Sequence, residues 1–312
     1  GVAQRCCEGY PRYTQTIVST PIAVITVTYS PGTYLESFLD SIPGATEKAA
    51  YVVLADNGST DGVPEQQADK RENVEFFATG GNLGYGTAIN RAVQHLKERK
   101  ERGDIDGDFF VVSNPDVVFD PGSIDAMLEC AQRWPGAATI GPRIREADGA
   151  AYPSARTVPT IRNGVGHALF GTIWPSNPWT KAYRDDDDLT TEHPAGWLSG
   201  SCLLVRWDAF DAIGGFDERY FMYMEDVDLG DRFGRAGYSN VLCPSAEITH
   251  AKGHAAGENP AAMLPAHHDS AYRFIADRHA AWWQAPLRLV VRIGLKMRAC
   301  IAVYSARRGQ AS

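Results

Sequence analysis

Short apolar runs alternate with amphipathic segments over the first 140 residues of the chain. The apolar runs predict strands at 22–28, 51–55, 74–78, 109–113 and 138–141. The intervening segments have helical spacing and predict helices at 33–41, 62–69, 85–100 and 122–133. Strands that alternate with helices form βαβ units, and strands that are apolar on both faces are typical of a parallel sheet. The pattern therefore predicts an α/β fold with a mostly parallel central sheet flanked by helices.

The pattern is less regular in the second half of the chain. Residues 142–196 collect prolines, tryptophans and an acidic run at 185–188, and we expect loops or a hairpin over the sheet, with the aspartates in solvent. Strand-like runs return at 198–205, 240–243 and 246–249, and the chain is predicted to be helical from about residue 260. The expected organisation is an extension at 1–20, a large domain at 21–257 and a basic helical region at 258–312.

Composition narrows the class of protein. The 312 residues are 44% hydrophobic and 22% charged, which is sufficient for a large core. A formal net charge of −8 argues against a nucleic-acid partner. The six cysteines show no C-x-x-C spacing, so we expect neither a zinc cage nor a disulfide framework. Cysteines without such a framework are typical of proteins in a reducing compartment. No stretch reaches the roughly 18 to 20 apolar residues that span a bilayer, so any membrane contact is expected to be peripheral.

The C-terminal segment has a local excess of positive charge. From Tyr272 onwards, eight arginines and lysines accompany a single acid, Asp277. One interpretation is an amphipathic helix packed on the main domain with its arginines in water, and spacing alone favours it. The other is an interfacial helix that lies on anionic lipid.

Polar and glycine-rich segments follow two of the predicted strands, at the edge where open parallel sheets bind ligands. Asp56 could accept a hydrogen bond from the imide N–H of uracil or thymine, or it could close an Asx turn that caps the next helix. The segment from Gly80 to Gly86 leads into a helix N-terminus, where backbone N–H groups favour an anion such as a diphosphate. Its glycine order is not G-x-G-x-x-G, so a nicotinamide cofactor is not supported.

The next predicted strand is followed by Asn114, Pro115 and Asp116. Asp116 could bind a divalent cation that bridges the oxygens of a diphosphate. Carboxylate and phosphate oxygens suit Mg²⁺, and Mn²⁺ also accepts an imidazole. His250, after the run 246–249, could supply that imidazole, although a lone histidine is more often structural.

A second group of carboxylates lies further along the chain. The apolar run at 198–205 and a glycine turn at 214–217 precede Glu225, Asp226 and Asp228, which stand at a predicted helix start. Acids in a first helical turn are favoured by the helix dipole, so simple capping is one interpretation. The other is that one of them is a catalytic base.

At these positions the chain resembles the inverting, family 2 glycosyltransferases with the GT-A fold. The resemblance covers about residues 22–257 and depends on six motifs, at 27–30, 55–62, 81–86, 114–117, 197–201 and 225–229. It implies a Rossmann-like nucleotide-diphospho-sugar transferase domain. The donor half would be about 21–141 and the acceptor half about 142–257.

The resemblance also implies roles for individual residues. Asp226 matches the family's catalytic base, and a helix N-terminus is expected to hold it ionised while a sugar hydroxyl approaches. Mg²⁺ or Mn²⁺ would be held by Asp116 and His250, since Asn114 stands at the first position of the family's usual Asp-x-Asp motif. The donor nucleotide would be bound by Thr28, Tyr29, Asp56, Asn82, Gly84 and Asn114. Glu225, Asp228 and Trp197 would orient the acceptor or cap the start of the helix.

Similarity to the rhamnosyltransferases of this family extends to segments 152–156, 177–179 and 276–279. It implies transfer of L-rhamnose from dTDP-β-L-rhamnose to polyprenyl-diphosphate-linked N-acetylglucosamine, in synthesis of the cell-wall arabinogalactan linker at the inner, cytoplasmic face of the plasma membrane. The alternatives are another family 2 transferase, for example of galactofuranose, a catalytically silent nucleotide-sugar-binding protein, and a metal-dependent phosphohydrolase. A homo-oligomer is compatible with this picture.

Overall fold

The computed structural model describes residues 20–160, 188–251 and 260–309, with side chains of 260–266 and 298–309 left out of the description. Several expectations lie outside the described residues. They are the extension at 1–19, the segment 177–179, most of the acidic run at 185–188 and the domain boundary near 257.

Twelve strands are present in the described part of the chain, and ten of them form one sheet. Their bounds are β1 Ile22–Thr28, β2 Ala50–Asp56, β3 Val74–Ala78, β4 Phe109–Ser113, β5 Val117–Phe119, β6 Ala137–Glu146, β7 Ala151–Tyr152, β8 Ala155–Arg156, β9 His193–Ala195, β10 Trp197–Leu198, β11 Cys202–Arg206 and β12 Ser239–His250. The sheet order is β3-β2-β1-β4-β11-β6-β12-β5, with β7 beside β6 and β9 beside β12, while β8 and β10 pair separately.

The strand directions agree with the predicted mostly parallel sheet. Strands β3, β2, β1 and β4 are parallel neighbours, and β6 runs parallel to β12. Strand β11 is antiparallel to both of its neighbours. The parallel half therefore brings the carboxyl ends of β1, β2 and β4 to one edge, which is where the polar loops begin.

Helices cover both faces of the sheet. Their bounds are α1 Tyr34–Ala45, α2 Val63–Asp69, α3 Tyr85–Glu101, α4 Ser123–Arg133, α5 Trp207–Ala212, α6 Glu225–Arg235, α7 Pro260–Arg278 and α8 Ala285–Gly309, with a 3₁₀ turn at Trp282–Gln284. Alternate residues of β1 belong to two separate cores: Ile22 and Val24 pack with α1 and α4, whereas Ala23 and Ile25 pack with α3, α5 and α6. Burial on both faces explains why the strands are continuously apolar.

Several elements differ from their predicted bounds, and β6 is longer than predicted, since it continues to Glu146. Helix α1 continues past Pro43 to Ala45, because Ile42 and Ala45 are buried in the core. The predicted strand at 198–205 is divided between β10 and β11 by a turn. The predicted strands at 240–243 and 246–249 form the single strand β12, whose register shifts between Cys243 and Glu247. Pro244 lies at this shift, where its missing N–H costs no ladder hydrogen bond.

The basic C-terminal region contains two helices in different environments. Helix α7 packs on the main domain, where Phe274 is buried with Tyr220 and Val227. Arg278 of α7 forms ion pairs with Asp228 and Asp231 of α6. The packed-helix interpretation therefore holds for α7.

Two cysteines that are distant in the chain meet in the core. Helix α4 packs over β12, and the thiols of Cys130 and Cys243 lie within 4.8 Å of each other and of the Glu192 carboxylate. The C-x-x-C spacing considered in the sequence concerns only neighbouring cysteines, whereas tertiary packing brings these distant residues together. Both Glu192 oxygens already accept hydrogen bonds, from Arg133 and Trp134.

Gly230 sets how closely α6 approaches Trp197. A Cβ at this position would lie 2.6 Å from the Trp197 Cβ and 3.0 Å from the Gly196 carbonyl oxygen, whereas a Cβ at Gly234 of the same helix would meet nothing. We expect Gly230→Ala to lower the free energy of unfolding by about 1–3 kcal/mol through overpacking. The matched control Gly234→Ala should raise it by about 0.5–1 kcal/mol. Denaturant titrations measure both, and equal effects of the two variants would contradict the close-packing account.

Candidate active site

A cavity of about 580 Å³ opens beside the first turn of α6. The donor half contributes only Tyr85 and Asn114 to its described lining. The remaining lining residues follow residue 141 and are Tyr152, Arg156, Thr157, Val158, Pro159, Trp197, Ser199, Gly200, Ser201, Met222, Tyr223, Met224, Glu225, Asp226, Val227 and His267. The cavity is therefore formed mainly by residues that follow residue 141, and Tyr85 and Asn114 complete one wall.

Asp226 is held at this wall by two backbone donors. Its Oδ2 accepts a hydrogen bond of 2.9 Å from the Gly200 N–H, and its Oδ1 accepts one of 2.8 Å from the Val227 N–H. The Gly200 carbonyl oxygen, which belongs to the following peptide unit, accepts a hydrogen bond of 2.5 Å from the Tyr85 hydroxyl. The Tyr85 side chain thus links the start of α3 to the carboxylate, and each carboxylate oxygen keeps a lone pair for another donor.

Glu225 is the neighbour of Asp226 in the cavity wall. Its Oε2 is buried and has no hydrogen-bond partner among the described residues. Burial and the adjacent Asp226 carboxylate raise the pKa of Glu225. Burial also raises the pKa of Asp226, against the lowering effect of the Gly200 and Val227 N–H groups. The two carboxyls together therefore hold a proton to higher pH than isolated acids do.

The helix N-terminus was expected to keep Asp226 ionised, but burial of the carboxyl has the larger effect on its pKa. The N–H groups of the first turn do favour the ionised carboxylate, but removal of the carboxyl from water penalises the charge more strongly, and the net shift of the pKa is upward. A carboxyl whose pKa is raised is a stronger base once ionised, which suits abstraction of a proton from an alcohol.

The backbone in front of α6 is strained. Tyr223 and Met224 both have φ = +66°, a left-handed conformation that costs side-chain-bearing residues roughly 1–3 kcal/mol each. Gly84, at φ = +86°, lies so close to this loop that a Cβ would stand 2.3 Å from the Phe221 carbonyl oxygen. The same oxygen accepts a hydrogen bond from the Tyr85 N–H. Only glycine permits this contact between the donor-side loop and the acceptor-side loop.

Asp56 organises the loop after β2. Its side chain accepts four hydrogen bonds, from the Thr28 and Ser59 hydroxyls and from the Gly58 and Ser59 N–H groups, and the residue is only 4% exposed. The Asx-turn alternative is therefore present. A contact between the carboxylate and a thymine imide requires one of these donors to give way, because four donors saturate the carboxylate.

The other residues expected to bind the nucleotide lie around this loop. Tyr29 is 61% exposed at the end of β1, and Asn82 is exposed in the glycine-rich loop. The Asn57 side chain donates to the Gly84 carbonyl and accepts from the Thr79 hydroxyl, so the loops after β2 and β3 are fastened together. Asn114 reaches the cavity wall itself.

Asp116 and His250 are brought together by strand pairing. In the antiparallel pair of β5 and β12, His250 lies opposite Val117. The His250 Nε2 is 3.1 Å from the Asp116 carboxylate, and both side chains are largely buried. A carboxylate oxygen and an imidazole nitrogen suit Mn²⁺ better than Mg²⁺. The pair fits a divalent cation whose remaining ligands are diphosphate oxygens and water.

The site residues share one side of the molecule. The pKa of Tyr85 is raised by burial and by the negative charges of Glu225, Asp226 and Asp116, so all three carboxylates lie within electrostatic range of its hydroxyl. Asp56 joins the same region through Asn57 and Gly84. Residues from both halves of the domain therefore converge around Tyr85.

Two residues expected to support the acceptor have different surroundings. Trp197 lines the cavity and donates from Nε1 to the Thr157 carbonyl oxygen at 3.0 Å. Asp228 is absent from the described cavity lining, and its carboxylate pairs with Arg232 and Arg278. The structure thus gives Asp228 an ion-pair role between α6 and α7 in place of the expected acceptor or capping role.

Sequence analysis missed several cavity residues. Tyr85, Tyr152, Arg156 and His267 all line the cavity, but none of them was assigned a role. Tyr85 lay inside the glycine motif and Arg156 inside a conspicuous segment, so a signal existed for these two. His267 enters through the packing of α7, which residue patterns do not reveal.

A cavity with a buried carboxyl pair, beside a carboxylate–imidazole pair at the same sheet edge, fits a nucleotide-sugar transferase of the GT-A type. The family model for glycosyl transferase family 2 matches residues 23–214. The chain belongs to this family.

Two sequence relatives agree with this assignment. The N-acetylglucosaminyl-diphospho-decaprenol L-rhamnosyltransferase of Mycobacterium tuberculosis is 54% identical over 290 residues, which cover 92% of this chain and 94% of the relative. The rhamnosyltransferase WbbL of Escherichia coli is 24% identical over a match that covers 82% of this chain and 93% of WbbL.

The fold is shared with solved transferases. GalNAc-T7 in complex with UDP, GalNAc and Mn²⁺ has a TM-score of 0.58 at 13% identity over 85% of this chain and 48% of the other. The mannosyltransferase PcManGT of Pyrobaculum calidifontis, in complex with GDP-Man and Mn²⁺, has a TM-score of 0.53 at 15% identity. The match covers 94% of this chain and 74% of the mannosyltransferase chain.

The raised pKa values of Glu225 and Asp226 lead to a prediction about how kcat/KM depends on pH. A base must be ionised, so the raised pKa places the acidic limb of the rate profile at higher pH than an isolated aspartate would. Glu225→Gln leaves Asp226 as a single buried carboxyl. It should therefore ionise at a lower pH than that at which the pair loses its last proton, which moves this limb to lower pH. Profiles of kcat/KM measure the shift, with the exposed Glu36→Gln as control. An unchanged limb would show that the two carboxyls do not interact, and a limb that moves to higher pH would contradict the predicted sign of their interaction.

Proposed function

We propose that this chain transfers L-rhamnose, with inversion, from dTDP-β-L-rhamnose to N-acetylglucosamine linked to a polyprenyl diphosphate. The observation that carries the proposal is the 54% identity to the Mycobacterium tuberculosis transferase across nearly the whole of both chains. The proposal includes a reaction at the cytoplasmic face of the plasma membrane, in synthesis of the arabinogalactan linker.

Asp226 is the proposed general base. The Gly200 and Val227 N–H groups fix its two oxygens, so a free lone pair can point into the cavity where the acceptor hydroxyl is bound. As the alcohol oxygen attacks the anomeric carbon of rhamnose, its proton passes to Asp226. The dTDP leaving group departs from the opposite face of the sugar, which requires the donor to lie on the Asn114 side of the cavity.

Asp116 and His250 are the proposed metal ligands. Mn²⁺ or Mg²⁺ would neutralise the charge that develops on the departing diphosphate. The glycine-rich loop before α3 presents its backbone toward the same edge, and the segments around Thr28 and Asp56 would bind the thymidine.

A transfer assay tests the activity. Purified enzyme is given dTDP-rhamnose and a prenyl-diphospho-GlcNAc acceptor, with and without a chelator. We expect rhamnosylated product, a loss of at least about 100-fold on chelation, and a loss of about 10²–10⁴-fold in Asp226→Asn. Asp226→Asn should keep its dTDP affinity, whereas Asp116→Ala should weaken metal-dependent dTDP binding. Near-normal turnover of Asp226→Asn would remove it as the base, and no product from any dTDP or UDP sugar would refute the transferase proposal.

Helix α8 is the proposed contact with the membrane. Among the described residues, no helix has both the length and the apolar character that a membrane span needs. Trp282 and Trp283 are 86% and 65% exposed, and the apolar side chains exposed on α8 are Leu289, Val290, Ile293 and Met297. The segment 282–309 contains six arginines and lysines and no acid. Exposed apolar side chains flanked by cations are typical of a helix that lies on an anionic bilayer.

Vesicle flotation tests the membrane contact. Wild-type protein should bind vesicles that contain phosphatidylglycerol, less strongly at high salt. Replacement of Leu289, Ile293 and Met297 by glutamine should weaken binding at least about tenfold, because burial of each apolar side chain contributes on the order of 1.5–3 kcal/mol. The control is Tyr34→Ser, an exposed aromatic residue on α1. Unchanged binding of the triple variant to vesicles would show that this face of α8 does not contact the membrane.

A further inference from the structure

Arg156 lines the cavity with its charge uncompensated by any described acid. It belongs to β8, opposite Trp197 of β10, and its Nε donates to the Pro153 carbonyl oxygen at 3.2 Å. It forms no ion pair within the described residues, and it is the only arginine or lysine in the described lining of the cavity. Among the described residues, only the Pro153 carbonyl accepts from the guanidinium, so its other N–H groups can donate to a ligand.

The position of Arg156 points to the acceptor. Apart from Tyr85 and Asn114, the described cavity lining comes from the acceptor half and from α7. Asp116 and His250, the proposed partners of the donor diphosphate, are not part of this lining. A cation in this wall is thus placed to meet a group that belongs to the acceptor.

Three chemical environments occur in this one cavity. Asp226 supplies a base, Arg156 supplies a cation, and apolar surface comes from Val158, Pro159 and Met222. The proposed acceptor carries a sugar hydroxyl, a diphosphate and a prenyl chain in that order. Glu225 and Asp226 repel a diphosphate, so its entry into this cavity requires a compensating positive charge.

We infer that Arg156 binds the diphosphate of the lipid-linked acceptor and selects for diphosphate-linked sugars. A guanidinium matches this ligand because its planar fork can donate two parallel hydrogen bonds to phosphate oxygens. The inference deepens the proposed function and depends on it. Arg156 acts as a specificity-determining residue, separate from the base and from the metal ligands.

The test compares two acceptors and three variants. The acceptors are GlcNAc-diphosphate carrying a short prenyl chain and the corresponding prenyl GlcNAc glycoside without phosphate. The variants are Arg156→Gln, Arg156→Lys and the remote control Arg102→Gln. Transfer kinetics are measured with both acceptors, and binding of each acceptor and of dTDP is measured calorimetrically in the Asp226→Asn background.

We expect Arg156→Gln to raise KM and Kd for the diphosphate acceptor by about 10–100-fold. Arg156→Lys should have an intermediate effect, and Arg102→Gln none. Affinity for dTDP and for the phosphate-free acceptor should stay within about twofold in every variant. Because binding is measured directly, the comparison holds even if the phosphate-free compound is not turned over.

Three results would overturn the inference. Equal losses with both acceptors would give Arg156 a structural role, and loss of dTDP affinity would place it on the donor diphosphate. Unchanged binding of the diphosphate acceptor would remove it from the site. Absence of transfer by the wild-type enzyme with either acceptor would instead count against the proposed function, while the dTDP titration still reports whether the donor site is formed.

Discussion

The site depends on the hydrogen bond from the Gly200 N–H to Asp226. The carboxylate stands at the start of α6, and without this contact its direction would be set only by the adjacent Val227 N–H. Because the Gly200 carbonyl also accepts from Tyr85, the peptide units on both sides of the Gly200 Cα are held by hydrogen bonds. A carboxylate that is held by backbone groups loses little entropy when a ligand binds, and this preorganisation suits the proposed role of Asp226 as the base.

The charges are divided between the two halves of the domain. Negative charge is concentrated at Glu225 and Asp226 on the acceptor side, where burial raises the pKa of both carboxyls. Positive charge would enter on the donor side through a cation at Asp116 and His250, and it is present on the acceptor side in Arg156. This division suits a displacement in which one substrate gives up a proton and the other releases a diphosphate.

Much of the fold could be predicted from the sequence because the strands are buried on both faces. The predicted bounds of β1, β3 and β4 agree with the structure to the residue. The end of α1 was misplaced because burial of Ile42 and Ala45 overrides the usual effect of Pro43, and β12 was divided because residue patterns do not show that a strand can continue through a bulge at Pro244.

The candidate site was predictable only in part. Asp56, Asp116 and Asp226 were singled out because acids after strands or at a helix start are conspicuous, and their roles stay predictions. The contact of Tyr85 with Gly200, the open guanidinium of Arg156 and the entry of His267 arise from packing between distant segments, as does the meeting of Cys130 with Cys243. The raised pKa of Asp226 was missed for the same reason, since desolvation is a property of the folded chain.

The most direct test of the account is a crystal structure of the Asp226→Asn variant with Mn²⁺, dTDP-rhamnose and a short prenyl-diphospho-GlcNAc. The account predicts an acceptor hydroxyl within about 2.6–3.2 Å of the residue 226 side chain, on the face of the rhamnose ring opposite the dTDP. An acceptor sugar bound away from residue 226, or a donor diphosphate that contacts neither Asp116 nor His250, would contradict it.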